Sequence, residues 1–207
     1  MRKLVVSLIV SLDGYMEGPG GNVMALPMDD FFDAANLDRQ RAAGTLLAGA
    51  TTYRMFRSYW PAIADDPTIS PTVAANPALA GVHAEIGRRN NELTKVVVSD
   101  SLTPEQTAPW SSTTTIVRRV DARERIAELK RHDGADLLVF GSRTLVADLL
   151  AAGLVDELYL MVGATVLGGG GSAFGDAGPL TLRLLDVQTR RDSDNVLLHY
   201  AVAHEQG

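Results

Sequence analysis

The sequence predicts an α/β domain: a mostly parallel central sheet with helices on both faces and an antiparallel hairpin at its C-terminal end. Three observations carry this. Apolar, β-branched runs alternate with helix-patterned stretches along most of the chain. Four of those runs stop at small or polar residues, namely Asp13-Gly14, Gly49, Ser99 and Gly141-Ser142. The last two runs flank the polar turn Asp192-Ser193-Asp194-Asn195, the pattern of a hairpin.

Taken in order, Lys3 to Leu12 is nearly continuous Val, Ile and Leu, as in a strand buried on both faces. Pro19-Gly20-Gly21-Asn22 predicts a mobile loop. Asp29, Asp30 and Asp33 open a helix that runs to about Ala43, where acids suit the helix dipole. Thr45 to Ala48 is a short strand. Thr51 to about Tyr59 reads as a helix stopped by Trp60-Pro61. Residues 61–94 hold four prolines and a polar helix near 80–91, and are expected to form a proline-rich surface excursion or to frame a pocket. Strands at Lys95–Ser99 and Thr115–Val117 follow, then a helix from Asp121 to Arg131. Leu137–Phe140, a helix over 143–152 and a strand over 156–167 come next. The closing hairpin pairs Leu180–Thr189 with Val196–Ala203. No internal repeat is visible, so residues 1–207 read as a single domain.

Composition narrows the function classes. The 207 residues are 46% hydrophobic and 21% charged, enough to build a core, with a net charge of −6. The pairs Arg88-Arg89 and Arg190-Arg191 are too small to track a nucleic-acid backbone. Cysteine is absent, which excludes disulfides, thiolate nucleophiles and thiolate zinc sites, and suits a reducing compartment such as the cytoplasm. The N-terminal apolar run is broken by Ser7 and Ser11 and lacks a cleavage site, so it reads as a strand rather than a signal peptide. No run approaches the length of a membrane helix. His83, His132, His199 and His204 show no metal-ligand spacing. No Gly-x-Ser-x-Gly elbow supports a hydrolase.

The candidate chemistry lies where strands end. Gly141-Ser142-Arg143-Thr144-Leu145 could hold a pyrophosphate on the free N–H groups of a helix start, or could be a plain turn with Ser142 as N-cap. Gly49-Ala50-Thr51-Thr52 presents the same two readings. The run Gly168 to Gly171 could form an anion nest or a flexible connection. Asp29 and Asp33 could supply a carboxylate to a substrate or only complement the helix dipole. Asp13 could meet a substrate or merely shape its turn. Tyr53, Phe56, Tyr59 and Trp60 could line a wall for a planar ring, with core packing as the default.

In their order and spacing, these pieces resemble the dihydrofolate reductase-like superfamily, in particular the bacterial branch related to the reductase domain of bifunctional riboflavin biosynthesis enzymes. The resemblance rests on Ser11-Leu12-Asp13-Gly14, on Leu47-Ala48-Gly49-Ala50-Thr51-Thr52-Tyr53 and on Val97-Val98-Ser99. It continues through Val139-Phe140-Gly141-Ser142 with Leu145, and Val155-Asp156-Glu157-Leu158 leading to Val166-Leu167-Gly168-Gly169-Gly170. It implies a three-layer fold, a homodimer, and a nicotinamide dinucleotide, usually NADPH, lying across the strand ends. Leu12 would flank the nicotinamide, and Gly49, Thr51 and Thr52 would serve the adenosine side. Ser99 would sit near its ribose, and Gly141, Ser142, Arg143, Thr144 and Leu145 would hold the pyrophosphate. Asp33 or Asp29 would face the substrate, with Asp13, Gly168 and Gly169 closing the pocket.

The implied reaction is hydride transfer to a polarised C=N or C=O. In the riboflavin branch the acceptor is a phosphoribosylamino-pyrimidine. A pterin reductase and a non-catalytic nucleotide-binding protein of the same fold are the alternatives. Two departures bear on these expectations. Ala50 and Asp100 stand where the family often has cations for the 2′-phosphate, which leaves NADH open unless Arg54, Arg118 or Arg119 substitutes. Gly141-Ser142 replaces a glycine pair whose peptide is cis in relatives.

Overall fold

The computed structural model describes residues 1–175 and 177–203, so His204 lies outside the described residues. Its strands are β1 (Leu4–Ser11), β2 (Tyr15–Glu17), β3 (Ala43–Gly49), β4 (Thr94–Val98), β5 (Thr114–Val117), β6 (Asp136–Phe140), β7 (Glu157–Gly163), β8 (Gly171–Ser172), β9 (Leu182–Thr189) and β10 (Val196–Val202). Its α-helices are α1 (Asp30–Ala42), α2 (Ala50–Asp65), α3 (Pro71–Ala75), α4 (Ala80–Glu92), α5 (Ala122–Arg131) and α6 (Arg143–Ala151). Eight strands form one sheet in the order β5-β4-β3-β6-β1-β7-β10-β9. The first six are parallel, and β10 and β9 close the sheet antiparallel. No described helix is long and apolar enough to cross a membrane.

β1 is buried at every position because both its faces are covered, which is why its sequence is not alternating. Successive side chains of a strand point to opposite faces. Leu4, Val6, Leu8 and Val10 pack toward Ile126 of α5 and Leu145, Val146 and Leu149 of α6. Val5 and Ile9 belong to the other face, with Phe31 of α1 and Phe56 of α2 in its clusters. Helix α4 packs on both α1 and α2 there. The edge strand β9 is exposed along most of its length, including Leu184, Leu185 and Val187.

Three expectations are corrected. α2 does not stop at Trp60-Pro61 but continues through Pro61 to Asp65. A proline removes one helical hydrogen bond, yet Ile63 is buried beyond it. Ala64 also lies so close to α4 that a Cβ on Gly87 would fall 2.7 Å from its backbone nitrogen. Packing of that last turn outweighs the lost bond. Residues 61–94 are likewise no surface excursion. They form helical turns packed on one another and on α1 and α2, with Ser70, Val73, Leu79, His83 and Ile86 buried. β7 ends at Gly163 rather than 167: the Asn195 side chain accepts from the Ala164 N–H at 3.3 Å, and Pro27 abuts Gly163, drawing the chain out of register. The Gly141–Ser142 peptide, at the place of that glycine pair, is trans, with both residues left-handed at φ 59° and 61°.

Candidate functional site

The sheet order places the candidate segments side by side. Along the carboxyl edge, Arg118 follows β5, Ser99 follows β4, Gly49 ends β3, Gly141 follows β6, Leu12 follows β1 and the 164–170 loop follows β7. From β4 to β1 are three strand gaps, about 14 Å at ~4.8 Å each. Beyond β3 the chain enters α2 on one face of the sheet, and beyond β6 it enters α6 on the other. Chains leaving neighbouring strands to opposite faces open a crevice, the usual ligand position in such sheets.

Gly49 and Ser142 face each other across that crevice. A Cβ on Gly49 would meet Ser142 Oγ well inside van der Waals distance. Gly49 has an ordinary φ of −79°, so it is small for space rather than for conformation. α2 and α6 both begin here without a side-chain cap and without an acid in the first turn. The N-cap reading of the Ser142 hydroxyl therefore does not hold: its left-handed backbone turns the side chain away from α6. The first N–H groups of both helices are left for an anion, and Thr51 and Thr144 stand exposed beside them. Leu145 is buried in the core under α6, so what it can offer a ligand is its N–H. The Arg143 side chain points away, to Glu17 of β2 at 3.6 Å. Gly49 is thus required by the close approach of Ser142, and the two uncapped helix starts lie on either side of that contact.

At the β4 end, Ser99 Oγ accepts from the N–H groups of Ser101 and Leu102 and bends the chain. Asp100 accepts from the Arg119 N–H and is flanked by the Arg118 and Arg119 guanidinium groups at 3.9 and 3.8 Å. The acid is thus answered by two exposed cations next to Ser99. Arg54 makes no such contact among the described residues.

At the β1 end, Leu12 is 66% exposed, an apolar side chain left open beside the crevice. Asp13 accepts from the Ser11 hydroxyl at 2.6 Å and from the N–H groups of Leu167 and Gly168 at 3.1 and 2.7 Å. Those donors, the Ser11 hydroxyl foremost, hold its carboxyl below the usual range. Asp13 therefore staples the loop after β7 to the end of β1. In the glycine run, Gly168 and Gly169 have open space around them. A Cβ on Gly170 or Gly171 would strike Glu17. The run lacks side chains because β8 pairs closely with β2, a two-stranded ribbon that no local pattern signalled.

The acids at the start of α1 separate into distinct roles. Asp29 caps the helix, accepting from the Phe32 N–H at 3.0 Å, and its other oxygen accepts from Ser193 Oγ. Asp30 accepts from the Asn76 side chain at 3.0 Å. Asp33 gives Oδ2 to His83 Nε2 at 2.9 Å and leaves Oδ1 without a partner among the described residues. One turn on, Asn36 accepts from Ser7 of β1, so this face of α1 overlies β1. Sequence reasoning did not single out His83, Ser70 or Pro27; each acts through a partner distant in the chain. Tyr53 is buried and meets Trp110 edge-on at 5.8 Å, and Phe56 packs on Phe140 at 6.2 Å. These aromatics belong to the core rather than to a ligand wall.

Comparison with known proteins bears on the family and the fold. The family model of the RibD C-terminal domain matches residues 2–198. The uncharacterized protein YyaP of Bacillus subtilis (strain 168) is 26% identical over 202 residues, covering 95% of this chain and 92% of that one. A putative riboflavin biosynthesis protein from Shewanella sp. PV-4 superposes with a TM-score of 0.66 at 18% identity, over 98% of this chain and 100% of the other. A diaminohydroxyphosphoribosylaminopyrimidine deaminase/5-amino-6-(5-phosphoribosylamino)uracil reductase from Thermotoga maritima gives 0.63 at 12% identity, over 98% of this chain and 57% of its own.

Proposed function

The chain belongs to the RibD C-terminal domain family, with a dihydrofolate reductase-like fold, and from that premise we propose that it is a reductase dependent on a nicotinamide dinucleotide. The substrate class is a small heterocycle, sugar imine or carbonyl compound, of the kind named for the Thermotoga maritima neighbour. The observation that carries the reading is the pair of neighbouring helix starts, after Gly49 and Ser142, that no side chain caps and no acid occupies.

When bound, the dinucleotide supplies the hydride. In this reading Gly141, Ser142 and the N–H groups of Arg143, Thr144 and Leu145 receive the pyrophosphate. Gly49, Thr51 and Thr52 serve the adenosine side, and Ser99 the ribose. Leu12 gives the nicotinamide ring an apolar neighbour. Asp13 keeps the Gly168–Gly169 loop closed over that end, limiting water. Asp33, rather than the capping residue Asp29, turns its free oxygen to the substrate and manages the proton. Arg118 and Arg119 replace the cations missing at Ala50 and Asp100, which favours NADPH over NADH.

A homodimer in the cytoplasm completes the proposal. The open edge and exposed Leu184, Leu185 and Val187 of β9 suit pairing with a second copy across a two-fold axis. Light scattering that finds only monomer would remove this part.

The test of the main reading is titration of the purified protein with NADPH and with NADH, following nicotinamide fluorescence. Micromolar binding, tighter for NADPH, is the expected result. Absence of binding to either would overturn the reductase.

A further inference from the structure

Asp33 is the near end of a buried chain of hydrogen bonds that crosses three helical segments. His83 Nε2 lies 2.9 Å from Asp33 Oδ2, and His83 Nδ1 lies 3.1 Å from Ser70 Oγ. The Tyr59 hydroxyl donates to Ser70 Oγ at 2.9 Å, and the Val73 N–H donates to the same oxygen. The relative exposures of Ser70 and His83 are 0% and 2%. A serine–histidine–aspartate order resembles a hydrolase triad, but a hydroxyl so buried meets no substrate. The order must serve something else.

Counting hydrogens gives the chain a direction. Ser70 Oγ already accepts two bonds, so its one proton goes to His83 Nδ1. The ring proton is then on Nε2 and is donated to Asp33. A proton on Nδ1 would give Ser70 three donors and leave its own hydrogen without an acceptor. Every member is satisfied in one arrangement only, and such closed buried networks are rigid. From α1 the ring faces Asp33, with Asp30 held aside by Asn76. From α2 it faces Tyr59 and the Trp60 ring, whose centroid is 5.9 Å away, and from the turn before α3 it faces Ser70.

We propose that His83 is a positioning residue, braced by Ser70 and Tyr59, that fixes the Asp33 carboxylate with its second oxygen presented to the substrate. The proposal rests on the reductase reading above and adds a residue to it. A carboxylate at a helix start is otherwise free to rotate into solvent. One locked by a neutral donor keeps its charge and its aim, and misplacement of a reacting group by about 1 Å can cost about 100-fold in rate.

The test compares wild type with His83→Leu, His83→Gln, Ser70→Ala and Asp33→Asn. NADPH affinity is read by fluorescence, and turnover with 5-amino-6-(5-phosphoribosylamino)uracil is read across pH. Histidine nitrogen shifts by NMR report the ring proton. The expected result is unchanged NADPH binding in all four, with kcat about 10- to 100-fold lower in His83→Leu and a displaced pH profile. Partial recovery is expected in His83→Gln, whose amide can still donate to Asp33, and an intermediate loss in Ser70→Ala. Turnover by His83→Leu equal to wild type would overturn the inference while leaving the reductase intact, as would a ring proton found on Nδ1. Loss of NADPH binding in His83→Leu would make the pair a fold determinant and also overturn it. A wild type that binds no dinucleotide would instead sink the underlying reading, and the inference with it.

Discussion

Gly49 and Ser142, 93 residues apart, share the crevice between β3 and β6 so closely that a single added carbon on the glycine would collide with the serine hydroxyl. The glycine backbone is ordinary and the serine backbone is not. The two positions should therefore respond to substitution in opposite ways.

Gly49→Val places two extra carbons beyond Cβ in the crevice without straining the backbone. Displacing Ser142 costs about 1–3 kcal/mol, as overpacking does. We expect a folded protein whose NADPH dissociation constant rises at least about 10-fold, since the backbone approach is blocked. Fluorescence titration beside a thermal melt checks this. Unchanged affinity in the folded variant would remove the crevice as the dinucleotide site.

Ser142→Gly should stabilise the protein. A serine at φ 61° is held in a region that glycine enters freely. Relief of that strain, less the flexibility added to the unfolded chain, leaves a gain of up to about 1 kcal/mol. Urea denaturation of the pair measures it, and a loss of stability would mean that the hydroxyl makes an energetic contribution of its own.

Arg118→Ala combined with Arg119→Ala removes both cations beside Asp100 and leaves the acid bare. NADPH affinity should fall about 10-fold, in line with the loss of a charge-assisted bond, while NADH affinity stays within about two-fold, since such a bond to the 2′-phosphate is absent there. Equal losses for both would mean that the pair shapes the strand end rather than reading the phosphate.

Asp13→Ala should free the loop after β7. The carboxylate that accepts from Leu167 and Gly168 is held below its ordinary value chiefly by the Ser11 hydroxyl, so this brace is present above that value and weakens as pH falls through the lowered one. The protection of the Leu167 and Gly168 amides against hydrogen exchange, taken relative to their intrinsic rates at each pH, should fall in the variant, and in wild type at low pH. Equal exchange in both proteins would show that the brace does not hold the loop.

Lys95 gives a pH dependence of the same sign from a different cause, burial of an amine. Its amine is fully buried, donates to the carbonyls of Asn91 and Leu93, and lies 4.5 Å from the Trp110 ring centre. Burial lowers its pKa from 10.5 to about 8. Between those values the unfolded chain binds the proton and the folded chain does not, so stability rises with pH. Relative to Lys95→Met, wild type should gain on the order of 3 kcal/mol across that window. Urea unfolding of both proteins at its two ends checks this, and a constant difference would mean an amine with its ordinary pKa.

Local chemistry made much of this fold legible. The Val/Ile/Leu run of β1, the Gly141 strand end and the Asp-Ser-Asp-Asn turn are governed by neighbours one to four residues away, so a short window of sequence carries them. The same holds for the acidic start of α1. What partners a residue across tens of positions was not legible. Pro61 reads as a helix stop until α4 is packed against the next turn. Gly168 and Gly169 look like the essential glycines until β2 is seen pressing on Gly170 and Gly171. Asp29 and Asp33 are indistinguishable as acids near a helix start. Tertiary contacts separate them, giving one to Ser193 and the backbone and the other to His83. By itself the sequence determined the elements and the edge on which the chemistry gathers. Only the tertiary structure decided which carboxylate is free and what holds it, because a hydrogen bond between α1 and α4 depends on the packing of the two helices and leaves no periodic trace in either.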